Sequence, residues 1–174
     1  MSEVSAVPAK SPEGLLADFR GAMRCLATTV SVVTSTDDGQ WYGMTATSVT
    51  SVSMEPPALL VCINSATAFH PVIDYSGRFC VNLLQTQHHK LSNAFAGKVT
   101  GQARFDFGDW RASASGLPYL LDAQANLFCE VDRRVAYGTH TLFIGRIIDV
   151  KIASPVAPLL YQDGGYAAAA PLAT

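Results

Sequence analysis

The sequence predicts a mostly β protein of one domain, and three observations carry that expectation. Six or seven runs alternate or are rich in β-branched residues, whereas only two or three short segments show helical spacing. Strands in that excess make an antiparallel barrel, not a doubly wound parallel sheet. A chain of 174 residues can also build one full core but not two ordinary ones.

Taken in order, residues 1–10 are small and polar and are expected to be a loose arm. Ser11, Pro12 and Glu13 then start a helix with a capping hydroxyl, a first-turn proline and an early acid. Leu15, Phe19, Ala22, Met23 and Leu26 extend it at helical spacing to about Cys25. Residues 28–36 (TTVSVVTST) read as one strand, Asp37-Asp38-Gly39 as a hairpin turn, and residues 41–47 as the returning strand. Pro56 and Pro57 admit no ladder hydrogen bonds. Residues 59–64 and 79–84 are apolar enough for strands covered on both faces.

Between those strands, Thr67 caps a short helix over residues 68–75, stopped by Gly77. Residues 86–96 carry Leu91, Ala94 and Phe95 at helical spacing, with Gly97 as terminator. Residues 98–118 show no period and are expected to be a long loop. Strands follow at residues 124–134 and 141–152, the second with a bulge or bend at Gly145. The alanine-rich tail, 167–174, lacks caps and is expected to fray, which leaves 11–166 as the domain.

Charged residues are only 15% of the chain against 49% hydrophobic, so apolar surface is expected to be hidden in an oligomer interface. A net charge of −2, without runs of Lys or Arg, gives no footprint for nucleic acid or an anionic membrane. The start lacks a signal peptide's apolar core, and no run of about 20 apolar residues exists. Cys25, Cys62, Cys80 and Cys129 form no C-x-x-C pair, which points to a cytoplasmic protein with reduced thiols. His88-His89 is not a metal site, because adjacent residues on a helix point apart and no carboxylates stand at ligand spacing. G-x-G-x-x-G and the P-loop are both absent.

The stretch 43–57, GMTATSVTSVSMEPP, is crowded with small hydroxyl residues and stays uncharged until Glu55. Small side chains let a flat ligand approach the backbone, and each hydroxyl both donates and accepts. An edge strand with a polar face accounts for the same residues. The segment resembles the flavin-binding segment of the flavin reductase family, which reads G-M-T-A/V-N/S-S-x-x-S-V-S-x-x-P-P. The likeness continues in order through 59–64 (LLVCIN), 79–84 (FCVNLL), 138–145 (GTHTLFIG) and 160–166 (LYQDGGY), covering about residues 15–166.

That resemblance implies the split β-barrel of FMN-binding proteins, a two-fold dimer, and reduction of FAD or FMN by a nicotinamide donor for a separate oxygenase. It implies that Thr45, Ala46, Thr47 and Ser48 line the isoalloxazine edge and that Ser51, Val52 and Ser53 hold the ribityl and phosphate end. Asn64 and Ser65, then Asn82, Leu83 and Leu84, would complete the flavin site, with Thr29 near the ring. Phe95 and Lys98 match an F-A-G-K-like segment whose lysine meets a flavin phosphate; a solvated helix end accounts equally for Lys98. His140, after Gly138, matches the histidine of a G-D-H motif that contacts the nicotinamide nucleotide, with Thr139 in place of the aspartate. Tyr161 and Tyr166, around Gly164-Gly165, resemble a segment that closes over the nicotinamide; a surface turn is the alternative.

Hydride transfer between two such cofactors needs no protein acid or base, so the lack of a triad or carboxylate pair fits the implied chemistry. With no basic residue near His140 or Tyr161 in sequence to meet a 2′-phosphate, NADH is expected over NADPH. Two other readings share these residues: a flavoprotein that holds FMN permanently, and a pyridoxamine-phosphate-type oxidase. The second needs an arginine-rich phosphate pocket, and the arginines here are dispersed in sequence.

Overall fold

The computed structural model describes residues 10–153 and 155–172. Helix α1 (Pro12–Arg24) starts where its signals place it: the Ser11 side chain accepts the Gly14 N–H at 3.1 Å. The expected first strand is broken in two, β1 (Thr28–Thr29) and β2 (Ser31–Asp37). Val30 is the cause. Its N–H donates to Leu159 and its carbonyl accepts from Leu84, so the chain leaves one sheet for another at that residue.

Asp38 and Gly39, both at positive φ, turn β2 into β3 (Gln40–Ala46), the geometry of a two-residue hairpin loop. Strands β4 (Val49–Met54) and β5 (Pro57–Asn64) follow, then α2 (His70–Ser76) and β6 (Arg78–Leu83). The helical stretch after β6 is three pieces: a 3-10 turn (Thr86–His88), α3 (His89–Asn93) and a wide π turn (Ala94–Lys98) ended by Gly97 at φ 100°. Beyond the 3-10 turn Gly101–Asp106 come β7 (Trp110–Ala112), β8 (Pro118–Leu120), the two long strands β9 (Ala125–Tyr137) and β10 (His140–Ile152), and a last hairpin of β11 (Leu159–Gln162) and β12 (Gly165–Ala168).

Seven strands form one antiparallel sheet in the order β3-β2-β6-β9-β10-β5-β4. Its edge strands, β3 and β4, are consecutive in the chain and joined by only Thr47 and Ser48. The sheet therefore has to curl until its edges meet, and the seam of the barrel lies at those two residues. Inside it pack Val33, Val61, Ile63, Phe79, Val81 and Phe143, none of them exposed. The bend expected at Gly145 is present as a register shift after Ile144, and a Cβ there would lie 2.5 Å from the Phe79 ring.

Two expectations need correction. Residues 98–118 are not a featureless loop, because Phe105 and Trp110 pack on Phe95 with ring centroids 5.1–5.2 Å apart and anchor the segment. The tail is not frayed from residue 167: Ala167 and Ala168 pair with Leu160 and Leu159 in the last hairpin. Backbone pairing holds it, and an alanine pattern cannot signal that. The arm, 1–10, falls outside the described residues except for Lys10.

Candidate functional site

At the barrel seam a cleft of about 360 Å³ opens between the end of β3, the α3 segment and the last hairpin. Thr45, Ala46 and Thr47 form one wall, Ser92, Asn93 and Ala96 the second, and Tyr161 and Tyr166 the third. The Thr45 hydroxyl donates to the Ser92 carbonyl at 2.7 Å and ties strand to helix. The Tyr166 phenol donates to the Ser92 hydroxyl at 2.9 Å, which holds the hairpin against α3. Its turn requires positive φ at both central residues, Asp163 (49°) and Gly164 (82°), and so sets the two tyrosines on one side, rings 5.7 Å apart.

Among the described residues, no charged side chain lines this cleft. Its size is at the lower end of small-molecule pockets, and its walls are short side chains, hydroxyls and two aromatic rings. Those features suit a flat, uncharged, hydrogen-bonding ring. Isoalloxazine and nicotinamide rings are both of that kind, so the residues fit a flavin.

A second cluster lies where β5 meets β10. His140 is in register with Asn64, and the Ser65 N–H donates to the Thr139 carbonyl at 2.9 Å. Asn64 turns inward on its own loop, its Oδ1 accepting the Ala66 N–H at 2.9 Å. The imidazole Nδ1 of His140 stands 2.9 Å from the hydroxyl of Thr139, so the threonine that stands in the motif's aspartate position gives the imidazole a neutral hydrogen-bond partner. Gly138, at φ 57°, makes the turn into β10. Near the seam, the Ser48 hydroxyl donates to the Cys62 carbonyl at 2.9 Å. Ser51 and Val52 are exposed on edge strand β4, and the Ser53 hydroxyl accepts the Glu55 N–H at 3.0 Å.

Other assigned side chains are committed elsewhere. Asn82 is fully buried: its Nδ2 donates to the Val32 carbonyl (2.9 Å) and the Thr34 hydroxyl (3.2 Å), and its Oδ1 accepts from Leu120 N and Asn126 Nδ2 (both 2.9 Å). That amide joins β2, β6, β8 and β9, with no bonding capacity left for a ligand. Leu84 and Phe95 are core residues of the cluster around Val32 and Trp110, and Leu83 packs on the barrel core. Lys98 is exposed at the end of the π turn, and Thr29 is exposed on β1 opposite Leu160; neither lines the cleft. His88 is also spoken for, accepting from Gln85 N at 3.1 Å and facing the Asp122 carboxylate at 3.0 Å.

Sequence reasoning missed Ser92, Asn93 and Ala96. The signal existed: if Leu91, Ala94 and Phe95 form the inner face, the intervening positions form the other wall. It also missed the basic groups near Tyr161. Arg20 and Arg24 reach that side from α1, lining a cavity with Tyr161 and Gly164.

The profile of the flavin reductase like domain matches residues 23–170. The chain belongs to that family. This flavin reductase-family chain is 43% identical over 163 residues to the reductase component of an FADH(2)-dependent resorcinol hydroxylase from a Rhizobium species, covering 92% of this chain and 91% of that one. It is 38% identical over 168 residues to an FMN reductase (NADH) RutF of Pseudomonas syringae, covering 95% and 94%. Among solved structures it resembles the Streptomyces globisporus NADH:FAD oxidoreductase SgcE6 in complex with NAD and FAD fragments, with a TM-score of 0.85, 29% identity, and 97% and 100% of the two chains covered.

Proposed function

We infer that the chain is an NADH-dependent flavin reductase that turns over FAD or FMN and supplies reduced flavin to a separate oxygenase. The uncharged cleft at the barrel seam, in a chain of this family, carries the reading. Similar proteins named as reductase components or as NADH-dependent FMN reductases support it.

The two cofactors carry the hydride chemistry themselves, from nicotinamide to flavin. What remains for the protein is placement and exclusion of water. Thr45, Ala46 and Thr47 present backbone and small side chains to the flavin ring. Ser48, Ser51 and Ser53 offer hydroxyls along its tail. Tyr161 and Tyr166 close the cleft, the second clamped by Ser92. His140, beside Asn64, positions the nicotinamide nucleotide.

The active form is a homodimer. Exposed apolar residues along β4, β9 and β10, namely Val52, Met54, Val135, Tyr137, Val150 and Ile152, support it. A monomer in sedimentation at micromolar concentration would contradict this. Four free cysteines support a cytoplasmic location, and no helix of the described residues is long and apolar enough to cross a membrane.

The test is NADH oxidation by the purified protein with FAD, FMN and riboflavin in turn. Flavin-dependent turnover by protein that purifies nearly colourless supports the reading. Yellow protein that oxidises NADH no faster when free flavin is added supports a permanent FMN carrier instead.

A further inference from the structure

We propose that the cavity between α1 and the last hairpin is a subsite for the adenosine diphosphate half of a dinucleotide. The proposal rests on the flavin reductase reading, because it gives that reaction's cleft its second half. The cavity measures about 460 Å³ and shares Thr47, Tyr161 and Gly164 with the cleft, so the two spaces adjoin at those residues.

Their chemistry is complementary. The described residues of the cleft carry no charge with which to meet a pyrophosphate. The cavity has two guanidinium groups, Arg20 and Arg24, one turn apart on the same face of α1. Among the described residues Arg20 makes no ion pair, and Arg24 reaches its one partner, Asp163, only at 3.9 Å with both side chains largely exposed. Among the described residues Asp163 is the one acidic group on the cavity wall, against two arginines. Guanidinium is also the side chain best shaped to hold phosphate oxygens in pairs.

Beside the arginines stand Phe19 and Met23, 59% and 47% exposed, offering an aromatic face and a thioether to a purine ring. No residue of α1 is buried in the fold. The helix thus spends its apolar stripe on this wall and leaves the wall uncovered. A flat adenine on Phe19, with its diphosphate on Arg20 and Arg24, covers it and leads into the cleft past Thr47.

Both FAD and NADH contain that half, and the substrates separate them. Wild type, Phe19→Ala, Arg20→Gln and Arg20→Gln/Arg24→Gln are assayed with riboflavin, FMN and FAD at saturating NADH. They are then assayed with NADH and reduced nicotinamide mononucleotide at saturating FMN. All these positions are exposed, so folding is checked by thermal melts. The proposal expects KM to rise about ten-fold or more for one dinucleotide, while riboflavin and the mononucleotide are used as before. A rise for FAD assigns the subsite to the flavin; a rise for NADH assigns it to the donor. Unchanged KM values for both dinucleotides overturn the proposal, and so does an equal loss with riboflavin and the mononucleotide. If wild type reduces no flavin at all, the reductase reading fails. Calorimetric titration with ADP, expected to bind wild type and not the double variant, then decides the subsite alone.

Discussion

Replacing Asn82 by alanine separates a structural role from a ligand role at one position. The substitution removes four hydrogen bonds to nitrogen and oxygen partners, and a weak one from the Cys80 thiol, in a site with no access to water. Asn126 keeps its bond to the Leu120 carbonyl at 3.0 Å, and Thr34 keeps its bond to the Pro118 carbonyl at 2.6 Å. The Leu120 N–H is left without its acceptor. One orphaned buried donor costs about 1–3 kcal/mol, and the remaining lost bonds about 0.5–1.5 kcal/mol each. A loss of roughly 4 kcal/mol follows, a large fraction of the stability of any single domain. For a protein of this size that lowers Tm by on the order of 10 °C. Thermal melts of wild type and Asn82→Ala, with flavin titration of both well below the melting range, supply the comparison. Affinity of the folded variant should change less than about three-fold, a bound set by the absence of direct contact. A Tm within about 2 °C of wild type together with a ten-fold weaker flavin affinity would refute the reasoning and return Asn82 to the flavin site.

His140→Ala should reduce kcat/KM for NADH by about ten- to a hundred-fold, the loss of one hydrogen bond worth roughly 1–3 kcal/mol. Flavin affinity should stay nearly constant; a parallel rise in the flavin dissociation constant would place His140 in the flavin shell instead. Burial pushes the Cys129 thiol from 9.0 up to about 12 and raises Cys80 well above its usual value, also chiefly by burial. Folded protein at pH 8 should therefore label only at its more accessible cysteines, with Cys80 and Cys129 reacting after unfolding. Between pH 9.0 and about 12 the unfolded chain loses these protons while the folded one retains them, so stability should fall as pH rises. Stability that is flat over that window, in a pH series of denaturant melts, would contradict the assignment.

The barrel was legible where a local pattern fixes a local shape. Asp38-Gly39 needs positive φ and announces its hairpin. Gly145, inside an apolar strand, announces a place where the Phe79 ring presses on the backbone. The break at Val30 was not legible, because a β-branched run reads the same whether its hydrogen bonds go to one sheet or two. For the site, the resemblance named Thr45, Ala46, Thr47, Tyr161 and Tyr166, which line the cleft, together with Asn82, Leu84 and Phe95, whose side chains are buried in the fold. Asn82 and Phe95 lie in matched segments and point into the fold, since a segment near a ligand must also be held by its own core. Tyr161 and Tyr166, by contrast, do close the cleft, because the Asp163-Gly164 turn permits one geometry and Ser92 fixes it. Arg20 and Arg24 were invisible to sequence reasoning for another reason: α1 meets the last hairpin across the whole length of the chain.

Flavin binding to Ala46→Phe tests the account most directly. Ala46 is on the wall of the cleft with the close-packed barrel core behind it, so the cleft is the open space into which a benzyl group there would extend, the space assigned to the flavin ring. Fluorescence titration of this variant with FMN and FAD, alongside a melt showing that it is folded, should find no binding at concentrations that saturate wild type. Folded Ala46→Phe with wild-type flavin affinity would move the flavin to another part of the barrel.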